Sequence, residues 1–224
     1  MALVVTTWLW GNAYSELDVE KLYRGVKRNL TQPFRFICFT DADRKFSEEI
    51  EQFPIKDLEL TKIKGCFARL RLFDPEWQAE LGIQEETKIL NLDLDLIVTG
   101  SISELFDKPD YFTILQGVNS ANPCPYNGSV WLLRAGYKKH VWTSFSVDAA
   151  AEAPFYEFPD DQGWFWWTMP DAGAFRAGDG VYAFQKVGWP KGLALPSNAR
   201  IVGFPGWRSP SKFTHLSWVQ QHWV

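Results

Sequence analysis

The stretch Lys88-Ile-Leu-Asn-Leu-Asp-Leu-Asp-Leu-Ile-Val-Thr99 sets two carboxylates, Asp93 and Asp95, among leucines at alternate positions. As one strand it turns Leu90, Leu92, Leu94 and Leu96 to one face and Asn91, Asp93 and Asp95 to the other. The two acids then share a face, about 7 Å apart. No basic residue adjoins them in the strand, and two carboxylates aimed into one space repel unless a cation joins them. Hard oxygens of this kind suit Mg2+ or Mn2+, which keep positions open for water and phosphate oxygens. Such an ion would hold a diphosphate and neutralise the charge it gains on leaving. The same spacing also describes a polar sheet face turned to water. Aspartate disfavours strands, so two of them between leucines require a reason. The stop at Thr99-Gly100 places them near a sheet end, where α/β folds bind ligands.

The surrounding segments supply such a sheet. Leu3 to Trp8 reads as a first strand. Ser15 to Leu30 carries Leu22, Val26 and Leu30 at four-residue spacing, one apolar stripe on a helix. Phe34 to Phe39 is a second strand ending at Thr40-Asp41, and strand–helix–strand begins a parallel sheet. Phe67 to Leu81 is helical with a restart at Asp74-Pro75. Ser103 to Phe106 forms a helical turn, Tyr111 to Leu115 and Asn127 to Leu133 are strands, and a helix runs from Tyr137 to about Ala151. Asp160 caps a helix through Trp167. Ala199 to Phe204 is a late strand, with a short helix from Thr214 to His222. No internal repeat or linker interrupts residues 1–224, a single α/β domain.

Composition narrows the function. The formal net charge is −4, with both signs mixed along 224 residues; without a basic stripe, nucleic acid is not the expected partner. Cys38, Cys66 and Cys124 are isolated and show no zinc or disulfide spacing. The start resembles no signal peptide, and no apolar run approaches the roughly 20 residues of a membrane span, which makes the cytoplasm the expected compartment. Phosphate-loop, HExxH and GxSxG patterns are missing. Twelve tryptophans are compatible with stacking on sugar C–H faces, although filling the core and supporting loops is the plainer account of any one of them.

Leu92-Asp-Leu-Asp-Leu-Ile-Val-Thr-Gly-Ser-Ile-Ser-Glu-Leu-Phe106 resembles the Asp-x-Asp segment of family-eight-like glycosyltransferases with the A-type nucleotide-diphospho-sugar transferase fold. Other landmarks follow in the family's order: Trp10-Gly-Asn-Ala-Tyr14, Phe36-Ile-Cys-Phe-Thr-Asp41, Phe67-Ala-Arg-Leu-Arg-Leu-Phe73, Asn127-Gly-Ser-Val130, Asp161-Gln162 and Phe204-Pro-Gly206 with Pro210. The resemblance implies a Rossmann-like domain with a mostly parallel sheet and Asp-x-Asp at a strand end. Its nucleotide-binding half would run to about residue 100 and its acceptor side over about 101–224. It also implies metal-dependent transfer from a UDP-sugar to a glycan or other hydroxyl acceptor, with retention of configuration.

Carried over residue by residue, Asp93 and Asp95 would bind Mn2+ or Mg2+ and, through it, the diphosphate. Thr6, Thr7 and Tyr14 would contact base and ribose, though strand-end threonines also cap turns. Arg69 would reach the diphosphate or sugar; as a plain helix cation it would be solvated, like Arg71. Asn127, Asp161 and Gln162 would line the space around the transferred sugar. One departure stands out. The family's third metal ligand is the His of Phe-His-Gly, and here that position is Pro205. His215 or His222 would have to substitute, and Arg208 or Lys212 would replace the family's late lysine. That leaves a catalytically silent carbohydrate-binding relative and a nucleotidyltransferase as rival readings.

Overall fold

The computed structural model describes residues 3–118, 124–153, 159–206 and 208–224. Strand β1 (Leu3–Leu9) leads to helix α1 (Glu16–Asn29), whose start is fixed by Ser15: its amide donates to Asp18 Oδ2 at 2.8 Å. Strands β2 (Phe34–Thr40) and β3 (Ile50–Pro54) follow, then α2 (Leu58–Thr61), a 3-10 segment over Phe67–Phe73 and α3 (Pro75–Glu80). Asp74 caps α3 by accepting from Glu76 N at 3.0 Å, so the helix restarts at the proline as expected.

Strands β4 (Lys88–Leu92), β5 (Leu96–Val98), β6 (Phe112–Gln116) and β7 (Tyr126–Arg134) come next. Helices α4 (His140–Thr143) and α5 (Val147–Ala151) replace the single helix expected from Tyr137. Ser146 is the reason: its side chain accepts from Ala149 N at 3.0 Å and starts a new helix there. Helix α6 (Asp161–Thr168), strands β8 (Gly173–Phe175), β9 (Val181–Ala183) and β10 (Ile201–Gly203), and α7 (Ser217–His222) complete the order.

Seven strands make the central sheet in the order β3-β2-β1-β4-β7-β6-β8. All its pairings are parallel except the two made by β7. Strand β1 therefore has β2 on one side and β4 on the other, and between β1 and β4 the chain order reverses. At such a point the strand ends part, and a crevice opens beyond them.

The long strand read from the sequence is two strands in two sheets. Strand β4 stops at Leu92, the chain turns through Asp93-Leu94-Asp95, and β5 joins a second sheet, β5-β10-β9. The alternation nevertheless survives the break. Leu90, Leu92, Leu94 and Leu96 all enter the core beneath α1, while Asn91 faces the opposite side, hydrogen-bonded to Thr6 and Trp8. A third cluster, rich in aromatics, packs Phe184, Phe204 and Trp218 behind the small sheet.

Candidate active site

Beyond the ends of β1 and β4 lies a cavity of about 300 Å³, lined by Trp8, Trp10, Ala13, Tyr14, Cys66, Arg69, Asp93, Leu94 and Asp95. The turn fixes both acids by their backbones. Asp93 N donates to Ser129 O of β7 at 3.0 Å, and Asp95 O accepts from Phe204 N, just past β10, at 2.9 Å. Across from Asp93, β7 has an irregular register, stepping from Asn127 to Trp131 while β6 advances one residue. Such a bulge re-aims a strand edge.

The expectation of unneutralised carboxylates needs correction. Arg69 is no solvated helix cation: its side chain is 5% exposed, and Nη1 donates to Asp93 Oδ1 and, at 3.1 Å, to Gly128 O. Its Nε and Nη2 reach Asp161 Oδ2 at 2.7 and 2.5 Å, and Asp161 is 2% exposed. A neighbour in space, from a segment 24 residues upstream of Asp93, does what none in the strand does. Arg71, by contrast, is half-buried and tied to Asp57 and Asp74 with its guanidinium over Trp142.

Two distant segments are fastened together to place Arg69. Gly65 and Cys66 carry φ of +124° and +60°, and Gly65 O accepts from Asp161 N at 2.8 Å. A side chain on Gly65 would meet Pro159 O at 2.5 Å, so glycine is required where the two chains touch. Asp160 caps α6 through Gly163 N and accepts from Gln162 Nε2, both at 2.8 Å, while Gln162 Oε1 accepts from Gly128 N at 3.0 Å.

Burial dominates the electrostatics. It pushes the Asp95 carboxyl up to about 8, with the Asp93 charge adding to the rise. Asp95 Oδ1 is buried with no hydrogen-bond partner. Burial likewise raises Asp161, to about 7, against the pull of Arg69. Burial works to lower the Arg69 pKa, yet Asp161 and Asp93 hold the guanidinium firmly charged. Burial, then Asp95 and Asp93, keep the Tyr14 hydroxyl protonated far above its usual range.

Of the residues singled out from sequence, Tyr14, Arg69, Asp93 and Asp95 meet in the cavity, and Asp161 stands behind Arg69. Asn127 is turned back on its own strand, accepting from Ser129 N and Oγ. Thr6 and Thr7 are fully buried, because β1 runs on to Leu9 and moves the strand end past them. Thr6 Oγ1 donates to Asn91 Oδ1 at 3.1 Å. Arg208, Lys212 and His215 lie after β10 and outside the cavity lining; His215 is exposed, its ring beside Phe213. Among the described residues no three His, Cys, Asp or Glu side chains gather as a metal-holding set. Trp10, the first residue of the Trp10–Tyr14 landmark, directly follows β1 and lines the cavity beside Tyr14; Trp8, at the end of the strand itself, lines it too and was not singled out from the sequence. In the aromatic stretch from Phe155 to Trp167, Trp164 and Phe165 are core and Trp167 is half exposed; residues 155–158 lie outside the described residues.

The seven-stranded, mostly parallel sheet with its crevice at the β1–β4 switch point is the glycosyltransferase A-type fold of the solved structures that it matches. The galactosyltransferase LgtC, in complex with donor and acceptor sugar analogs, matches with a TM-score of 0.61 at 11% identity, over 99% of this chain and 97% of LgtC. The glycosyltransferase GlyE of Streptococcus pneumoniae TIGR4 matches at 0.63 and 16% identity, over 99% of this chain and 63% of GlyE. The bifunctional glycosyltransferase WbbM matches at 0.59 and 11% identity, over 93% of this chain and 46% of WbbM. No family model and no curated protein sequence matches the chain. Among the described residues no helix is long and apolar enough to cross a membrane.

Proposed function

We propose that the chain is a metal-dependent glycosyltransferase, moving a sugar from a UDP-sugar to a glycan or other acceptor hydroxyl with retention of configuration. The observation that carries this is the pairing of Asp93 and Asp95 in one cavity at the β1–β4 switch point. The buried, unpartnered Oδ1 of Asp95 fits a hard divalent cation, Mn2+ or Mg2+, which the two acids would hold. When bound, such an ion neutralises charge on a departing diphosphate.

The chain's own residues do the rest. Trp10 and Tyr14 give the cavity an aromatic wall for the base or a sugar ring. Arg69 brings a buried positive charge to the floor, where charge-assisted hydrogen bonds to phosphate are strong. Asp161 acts through Arg69, and Gln162 and Asn127 shape the β7 edge beside the transferred sugar. Arg208 and Lys212, on the segment that follows Phe204, are assigned to the outer phosphate oxygens. As the anomeric carbon–oxygen bond breaks, its electron pair goes to the phosphate oxygen. The acceptor oxygen then bonds the carbon, and its proton passes to the leaving phosphate.

A panel of UDP-sugars incubated with the protein and Mn2+ tests the reading by UDP release and by mass spectrometry of products. Turnover of one donor that is lost in Asp95→Asn is expected. That no third ligating side chain joins the two acids among the described residues favours a second reading, a silent glycan-binding relative. Glycan binding in EDTA, with no UDP release from any donor, would select it.

A further inference from the structure

Resting on the transferase reading above, we infer that the acceptor is a neutral oligosaccharide whose body lies in a second groove, on the aromatic pair Trp142 and Phe145.

The groove consists of two cavities that share Leu58 as a wall, a residue 42% exposed. One, of about 250 Å³, opens beyond Thr40 and Pro54, the last residues of β2 and β3, at the sheet end where α/β folds take ligands. The other, of about 520 Å³, is lined by α2 on one side and by Trp142 and Phe145 on the other. It alone is within the roughly 300–1,000 Å³ of small-molecule sites. Both cavities adjoin the donor cavity. Gly11 N, next to Trp10, donates to Asp41 Oδ2 at 2.8 Å in the first. Phe67, next to Cys66, sets its ring 5.0 Å from that of Phe145 in the second.

The aromatic pair is held in place. Both rings are half-buried, 6.2 Å apart and 21° from parallel. The Arg71 guanidinium lies over the indole, 4.8 Å from its centre, and is itself tied to Asp57 and Asp74. Rings fixed in this way lose little freedom when a ligand settles on them.

The chemistry of the lining selects the ligand. Aromatic rings take apolar C–H faces, and carboxylates such as Asp43 and Glu59 accept hydrogen bonds from hydroxyls. Lys56, the one cation among the described lining residues, is bound to Glu80. The nearby Arg44, Arg71 and Lys62 are paired with Asp41, Asp57 and Glu59. No positive charge is left over to match a uronate, a sialic acid or an anionic lipid surface, so the groove suits a neutral chain of hydroxyls.

The test probes the full chain with a printed array of neutral, uronate-bearing and sialylated glycans, then titrates the best binder in EDTA. Neutral oligosaccharides should be retained and anionic ones not. The oligosaccharide's Kd should lie about tenfold or more below that of its terminal monosaccharide. Trp142→Ala, keeping its circular dichroism spectrum, should bring the oligosaccharide to the monosaccharide's value, and Trp142→Phe should retain most of the advantage. Glu59→Lys, at a side chain 83% exposed, should admit uronate-bearing glycans without disturbing the fold. Equal affinity for the two lengths, an advantage that survives Trp142→Ala, or retention of anionic glycans alone or of none would overturn the inference. UDP binding in Mn2+ would then still stand for the donor site. Length-dependent glycan binding at Trp142, with no UDP binding and no release from any donor, would overturn the transferase reading and the acceptor role together.

Discussion

Arg69 Nε sits 2.7 Å from Asp161 Oδ2 across 92 residues of sequence. The same guanidinium holds Asp93 of the Asp-x-Asp turn. One side chain thus ties the 3-10 segment, the start of α6 and the end of β4 into a single buried network.

Removing that side chain alone leaves two acids without their partner. Arg69→Met should cost about 3–5 kcal/mol of stability, as for other broken buried pairs, read from urea denaturation. Adding Asp161→Asn should recover part of the loss, because the stranded charge is gone. Additive losses in the double variant would mean that the two residues do not form one unit.

Gly128 should tolerate no side chain. A Cβ there would lie 2.6 Å from Arg69 Nη2 and 3.2 Å from Gln162 Cγ, both held by hydrogen bonds. Gly128→Ala should weaken UDP binding in Mn2+ and lower the melting temperature. Gly178→Ala, whose Cβ meets nothing within 4 Å, is the control. Equal behaviour of the two variants would discard the packing argument.

Cys66, half-buried at the cavity edge, has its thiol pushed up to about 12, first by burial and then by Asp161, Asp93 and Asp160 against Arg69. The raised value gives a sign. The neutral thiol's contribution to stability is full below the ordinary thiol pKa near 8.5 and is lost as pH rises through about 12. Iodoacetamide labelling of Cys66, followed by peptide mass spectrometry, should keep accelerating up to about pH 11. A rate that levels off near pH 9, as for a free thiol, would contradict it.

Pro205 directly follows Phe204, whose amide donates to Asp95 O at 2.9 Å, so Pro205→His brings an imidazole to the residue next to that contact. The variant should bind Mn2+ without nucleotide more tightly than the parent, by about tenfold or more, measured by paramagnetic resonance. If its affinity is unchanged, residue 205 does not face the acids.

Much of this fold can be read from residue patterns, because strands and α1 carry clean periodicities: Leu22, Val26 and Leu30 all lie in the core beneath the sheet. Asp93 and Asp95 stood out because acids are costly inside a strand. The break between β4 and β5 left no such mark, since a turn that keeps leucines on one side preserves the alternation of a strand. Arg69 was legible as a cation but not as a buried one; its partners come from a segment 92 residues away and from the β4 turn, and pairing across such distances leaves no local pattern. Thr6 and Thr7 are buried inside β1, which ends at Leu9, one residue beyond the Trp8 read from the sequence and within the usual scatter of a strand end. Five of the twelve tryptophans, Trp8, Trp77, Trp131, Trp164 and Trp218, are buried, Trp8 at the cavity wall as well.

The turn at Asp93-Leu94-Asp95 has a mechanical side. The amide of Asp93 is pinned to β7 in the large sheet, and the carbonyl of Asp95 to the residue after β10 in the small one. An ion gripped by both acids would be a rivet through two plates. Loading the site should therefore slow amide hydrogen exchange at Phe204 as well as at Asp93, and make the two sheets melt as one cooperative unit.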